Sequence, residues 1–402
     1  MAIAPVVGLE IGTSKVIALV GEFREDGVIM ITGMGERPST GVRKGEIIDF
    51  ENAAHCVKSV LTMAEERSNV EIREVLLAVS GGHIQSVVNL GTVPVYDQGG
   101  EITREDVEDV MDVARAVSLP PERDVLHTIS QYFYIDKDQR VINPEGMEGA
   151  QLSVNMLVVH GVRTRLNSTM RVARNAQVEV QDVACGGLSS ALAVLTAEQK
   201  KSGVVVIDIG GGTTDYVVYA EGIVASVGVL GVGGDHVTND IAIGFSIPMA
   251  QAEQLKRESG SVDVQAAAAD ATVTLPPEGG FTGRVVPIRA LNTILHARMD
   301  ELLTMIRRRL DREDVLHHLG AGIVLTGGVA RTAGLVPLAE SIFGLPCTIG
   351  RPRNVSGLVT ASSGPEYATA CGLVQYGFKA VRETSRPQVL PTWISRLIWR
   401  QT

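Results

Sequence analysis

The chain alternates short apolar runs with polar, glycine-containing turns. Val6 to Ile11, Ser14 to Gly21 and Val28 to Met34 read as strands of the buried type, with little polar residue interspersed. A helical stretch is expected from Asn52 to Arg67, and Val75 to Val79 closes the unit as a further strand. From His83 to about His160 the pattern changes. Thr103-Arg104-Glu105-Asp106 predicts a helix N-cap, and His127 to Ile135 and Gln151 to His160 predict strands. The helix Thr164 to Asn175, the strand Val178 to Ala184 and the helix Leu188 to Leu195 resume the alternation of the opening unit, so the intervening block reads as an insertion.

A second series then begins with the strand Val204 to Ile209. It continues with a helix from Pro248 to Glu258, a low-complexity stretch Val262 to Gly280 expected as a mobile loop, and a long helix from Pro287 to Leu310. Gly322 to Gly328 is again a strand running into a glycine turn. The pattern is α/β.

Two segments about two hundred residues apart carry the chemistry: Val6-Val7-Gly8-Leu9-Glu10-Ile11-Gly12-Thr13-Ser14-Lys15 and Val204-Val205-Val206-Ile207-Asp208-Ile209-Gly210-Gly211-Gly212-Thr213-Thr214-Asp215. Each is a strand, an acid, glycine and hydroxyl residues, and another strand. Such a turn aims backbone N–H groups at a phosphate while its small residues permit close approach. One copy reads equally well as an ordinary hairpin; two are suited to clamp one polyphosphate. Glu10 and Asp208 would repel phosphate directly, which suits them to hold a divalent cation, magnesium, through water.

Length, 402 residues, allows two to three domains. The net charge of −10 argues against a nucleic-acid binder, and Arg307-Arg308-Arg309 is interleaved with acids as on a solvated helix face. Cys56, Cys185, Cys347 and Cys371 lack the spacing of a disulfide framework or zinc site and are expected as small core residues; His317-His318 is expected at the surface. The N-terminus has no signal-peptide pattern, and Gly222 to Gly234 is too short to span a bilayer, so the body is expected to be soluble.

The paired loops resemble the phosphate-1 and phosphate-2 loops of the actin, sugar kinase and heat-shock chaperone superfamily. With the Val79-Ser80-Gly81-Gly82-His83-Ile84 entry to the insertion, nearly the whole chain resembles the FtsA family of bacterial cell-division proteins. The resemblance implies duplicated, ribonuclease H-like, actin-like domains closing on ATP. It implies 1A at 1–82 and 161–202, an inserted 1C at 83–160, 2A at 203–241 and 321–380, and 2B at 242–320. The nucleotide would be held by Gly12, Thr13, Ser14, Lys15, Gly210, Gly211, Gly212, Thr213 and Thr214. Gly327 and Gly328, in a segment like the adenosine motif, would leave bare backbone for base and ribose, with Arg331 stacking on adenine or capping a helix at the surface. Glu253 and Lys256, at i and i+3, would reach the nucleoside, with an exposed salt bridge as the competing reading.

Where the superfamily carries an acid or Gln followed by Pro, this chain has Cys185-Gly186-Gly187-Leu188. The side chain that would orient the attacking water is missing, so no catalytic residue is assigned and very slow hydrolysis at most is expected. An efficient kinase or phosphatase is disfavoured by Gly186, and a peptide chaperone by the lack of a β-rich domain after Lys379.

Both tryptophans lie in the last ten residues. After a linker at 381–390, Trp393, Ile394, Leu397 and Ile398 share one arc of a helix at 391–402, with Arg396 and Arg400 off it and Trp399 outside the arc. This predicts a weak interfacial anchor on the cytoplasmic membrane, strengthened by many copies acting together, with a helix docked on the body as the alternative. The resemblance further implies filaments at the division site, binding of the FtsZ C-terminal peptide on 2B with Arg298, Arg307 and Arg308 as basic candidates, and later division proteins on 1C. A pilus-assembly actin homologue acting as a cytoplasmic scaffold is the runner-up; it lacks such a tail.

Overall fold

A computed structural model describes residues 4–24, 27–96, 100–277, 281–358 and 363–385. Two sheets built on the same plan carry the fold. In the first, Val6–Ile11, Lys15–Phe23 and Ile29–Pro38 run antiparallel, and Glu74–Val79 and Glu179–Cys185 extend it in parallel beside Val6–Ile11. In the second, Val204–Ile209, Thr214–Ala220 and Ile223–Leu230 run antiparallel, and Ile323–Thr326 and Cys347–Ile349 extend it in parallel. The first sheet gains one more edge strand, Val355–Gly357, beside Ile29–Pro38.

The uninterrupted apolar runs follow from burial of both sheet faces. Along Val204–Ile209, Val204 and Val206 face a core shared with the first sheet, while Val205, Ile207 and Ile209 face a second core. The shared core also takes the helix Gly186–Val194, buried at every residue, and side chains of the helix Ala368–Ser385. The second core is closed by Leu291, Leu295, Met299, Leu302 and Leu303 of the long helix Ile288–Arg312. All four cysteines are buried and none of them forms a disulfide.

Between Glu74–Val79 and the helix Arg163–Asn175 lies a separate antiparallel sheet in the order Gln85–Pro94, Gln151–Val162, Arg123–Ile135, Gln139–Val141. The helix Arg104–Arg115 packs on it, and Val110, Met111, Phe133, Leu152 and Val154 form its own core. Thr103 caps that helix in a reciprocal box with Asp106. The strand Gln85–Pro94 escapes a reading of hydrophobic period because it is an edge strand, with Val87, Val88 and Leu90 all exposed.

Part of the stretch expected as a loop is a strand. Thr272–Leu275 pairs antiparallel with Arg284–Pro287, and Leu275 and Val286 are buried. A short β-branched run needs its distant partner before its register is visible. Elsewhere the ends shift by a few residues: the first helix starts at Phe50, one after the Asp49 cap, which accepts from Asn52 N at 3.1 Å. The membrane-anchor residues Trp393, Ile394, Arg396, Leu397, Ile398, Trp399 and Arg400 lie outside the described residues.

Candidate functional site

The two glycine hairpins face each other across a cleft of about 770 Å³. Each turn is closed by the same backbone bond, Gly12 N to Lys15 O at 3.0 Å and Gly210 N to Thr213 O at 2.9 Å. The walls include Gly12, Thr13, Ser14, Lys15, Gly210, Gly211, Gly212, Thr213, Glu253, Lys256, Gly327, Gly328 and Arg331, together with Glu10 and Asp208. The hairpins meet at Gly212, where an added Cβ would lie 2.5 Å from Thr13 Oγ1 and 2.8 Å from Lys44 Cα. Only glycine permits that approach.

Thr214 corrects the predicted set. It is fully buried, donates to Val232 O at 2.8 Å and is not on the cleft wall. Side chains alternate along a strand, so the cleft receives Thr213 and Asp215 while Thr214 turns to the other face.

The floor of the cleft is acidic and buried. Burial, then the nearby Asp208, pushes Glu10 up to about 8. Burial likewise raises Asp208 to about 6, and burial followed by Asp208 raises Asp215 to about 7. Asp208 and Asp215 are directly opposite in the ladder, a destabilising arrangement for two like charges. Thr369 Oγ1 donates to Asp208 at 3.1 Å, whereas Glu10 Oε2 is buried without a hydrogen-bond partner among the described residues. Such a set fits a cation, since a positive charge would relieve repulsion and burial together. Among the described residues no three His, Cys, Asp or Glu side chains converge closely enough to hold a metal by themselves.

Lys15 bonds Glu36 at 3.1 Å and lies 3.8 Å from the centroid of the Tyr367 ring, whose hydroxyl donates to Glu36 at 2.9 Å. Its ammonium is thus held at the mouth of the first hairpin. On the opposite wall, Lys256 bonds Glu253 at 2.5 Å, Thr238 Oγ1 at 2.8 Å and Gly234 O at 3.1 Å. The pair does form a salt bridge, a partly buried one rather than the exposed one expected, and both residues line the cleft. Leu295, Met299 and Val329 give this end apolar surface suited to a flat base. Arg331 bonds Glu366 at 2.7 Å, which fixes its guanidinium beside the same end.

Gly327, at φ +85°, lies against Asp208 and Ile209 O, where any Cβ would collide. It packs the third glycine turn directly on the second hairpin. Sequence reasoning missed Glu36, Ser80, Asp215, Asp235, Tyr367 and Thr369, all on the wall. Of these, Asp215 carried a signal as the last residue of the second motif, and Ser80 stood in the Val79 to Ile84 entry without being read as a site residue.

Of the basic candidates on Ile288–Arg312, Arg298 is held by Asp240 at 2.6 and 3.0 Å and by Glu301 at 2.6 Å. Arg307 bonds the Ile342 carbonyl, and Arg308 is exposed. No helix of the described residues is long and apolar enough to cross a membrane.

A family model described as cell division protein FtsA matches residues 205–372, and one described as the SHS2 domain inserted in FtsA matches residues 81–160. Cell division protein FtsA of Pseudomonas aeruginosa is 37% identical over 377 residues, covering 93% of this chain and 89% of that protein. Among solved structures, a PilM–PilN type IV pilus biogenesis complex aligns with a TM-score of 0.65 at 20% identity, over 92% of this chain and 98% of that one. MreB5 of Spiroplasma citri bound to AMPPNP aligns at 0.56 and 14% identity, over 96% and 98%. At these identities the likeness is one of fold.

Proposed function

This chain belongs to the FtsA family and has a role in cell division, and from that footing we propose that it binds ATP with Mg2+ and assembles as an actin-like polymer on the cytoplasmic membrane. The observation that carries the ATP reading is the cleft itself: two like hairpins from the two sheets, closed on each other at Gly212, above Glu10 and Asp208. A nucleotide analogue bound to the MreB5 neighbour supports it.

In this reading the hairpin amides hold the polyphosphate, Glu10 and Asp208 hold the cation through water, and Glu253, Lys256, Gly327, Gly328 and Arg331 receive the nucleoside. Hydrolysis is very slow, because residue 186 supplies no side chain. The C-terminal segment 391–402 lies on the lipid surface at the division site. The 2B region 242–320 takes the FtsZ C-terminal peptide, with Arg307 and Arg308 the exposed ones of its three basic candidates, and 1C offers a surface to later division proteins. The pilus-scaffold reading rests on a likeness at 20% identity and does not account for the amphipathic tail.

Negative-stain microscopy of the full chain on an anionic lipid monolayer tests the proposal. Filaments with ATP and few without it are expected. Equal assembly in both conditions, or none on lipid, would overturn it.

A further inference from the structure

The two hairpins share one register and one closing bond, and they differ at the position that faces the acid. In the first, Glu10 stands opposite Ile17; in the second, Asp208 stands opposite Asp215. The extra acid lies on the cleft wall, and its Oδ1 is 3.7 Å from where a Cβ on Gly186 would sit. A carboxylate from the second sheet thus occupies the neighbourhood left vacant by the missing side chain of residue 186.

Asp215 is held from across the cleft. Ser80 Oγ, at the end of Glu74–Val79, lies 2.8 Å from Asp215 Oδ2 and 3.0 Å from Oδ1, and 3.3 Å from Thr213 Oγ1. Gly187, in the first turn of the helix Gly186–Val194, supplies a backbone hydrogen bond as well. The Ser80 and Gly187 bonds to Asp215 serve no part of the clamp assigned to the hairpins.

We propose that Asp215 is the group that orients and deprotonates the attacking water in this cleft, with Ser80 as its positioning residue. As the water oxygen bonds the terminal phosphorus of ATP, the water proton passes to an Asp215 oxygen. The bond from phosphorus to the bridging oxygen breaks, and its electron pair leaves with ADP.

The inference rests on the ATP reading above. Fluorescent ATP titration and single-turnover phosphate release over hours, on the full chain, separate the two. Asp215→Asn is expected to bind ATP within about threefold of the parent and to lose roughly a hundredfold or more in release rate. Ser80→Ala is expected to lower the release rate about tenfold with ATP affinity within about threefold of the parent, and Ser80→Thr to restore the rate. A merely structural serine would change neither, or would weaken both together. Parental release rates in Asp215→Asn, loss of its ATP binding, or no release at all by the parent would overturn this inference. Failure of the parent to bind ATP would overturn the ATP reading itself.

Discussion

The Gln131 side chain donates to Val224 O at 2.9 Å, carrying a hydrogen bond from the inserted sheet onto the edge strand of the second sheet. Three neighbours reinforce it. Gln131 also reaches Ala225 O at 3.2 Å, Ser86 Oγ donates to Val227 O at 2.7 Å, and Tyr132 and Arg140 both bond Glu221 at 2.8 Å. The insertion is thereby tied to the opposite half of the molecule by side chains that satisfy an otherwise open strand edge.

Gln131→Leu should therefore leave buried carbonyls unpaired and cost about 1–2 kcal/mol. Hydrogen exchange is expected to quicken along Ile223–Leu230 while Val204–Ile209 stays protected. Unchanged exchange on the edge strand would show that this contact does not hold the halves together.

The hairpin contact at Gly212 predicts a different failure. Gly212→Ala should fold, because the clash lies between the two halves, but should hold the cleft open and weaken ATP binding about tenfold or more. Small-angle scattering and ATP titration would check this. A closed cleft with parental affinity would contradict it.

Glu10 gives a pH prediction with a definite sign. Its pKa is raised to about 8 in the folded chain, so between its ordinary value of 4.5 and about 8 the folded state binds more protons than the unfolded one. Its contribution is fully present below pH 4.5 and is lost as pH rises towards 8. Glu10→Gln should stabilise the nucleotide-free protein at pH 8 by on the order of 2 kcal/mol and do little at pH 5. Denaturant melts at the two pH values measure it, and Mg2+ with ATP should narrow the difference.

His83 works in the opposite sense at the root of the insertion. Its Nδ1 accepts from Val162 N at 3.2 Å, and burial, then Arg165 and Arg123, lowers its pKa to about 4. The folded state binds fewer protons than the unfolded one between 6.5 and about 4, so this contribution is present above pH 6.5 and lost as pH falls through that window. His83→Gln is expected to flatten the acid limb of stability against pH. An unaltered limb would assign it to other groups.

The anchor prediction concerns residues outside the described structure. Deleting 388–402 should release the protein from anionic liposomes without changing ATP binding. Retained cosedimentation would place the anchor elsewhere.

The sequence alone was enough for the duplicated α/β plan and most of the cleft. Strand-acid-glycine turns are local: their backbone bonds, Gly12 to Lys15 and Gly210 to Thr213, close within four residues. Glu10, Asp208 and the three glycine turns could therefore be named from spacing. Thr214 could not be excluded that way, because strand parity becomes a statement about the cleft only once one face is known to point there. The edge strand Gln85–Pro94 and the ladder Thr272–Leu275 were hidden for a related reason, since weakly buried strands carry little hydrophobic period.

Tertiary structure decided what sequence spacing has no means to express. Ser80 and Asp215 are 135 residues apart, and Gln131 and Val224 are 93 apart; nothing in either local sequence names its partner. Local patterns fix which backbone groups are free to bind a phosphate. Which side chains share a buried volume, and hence which acids repel one another or find a hydroxyl, depends on how two sheets close around common helices.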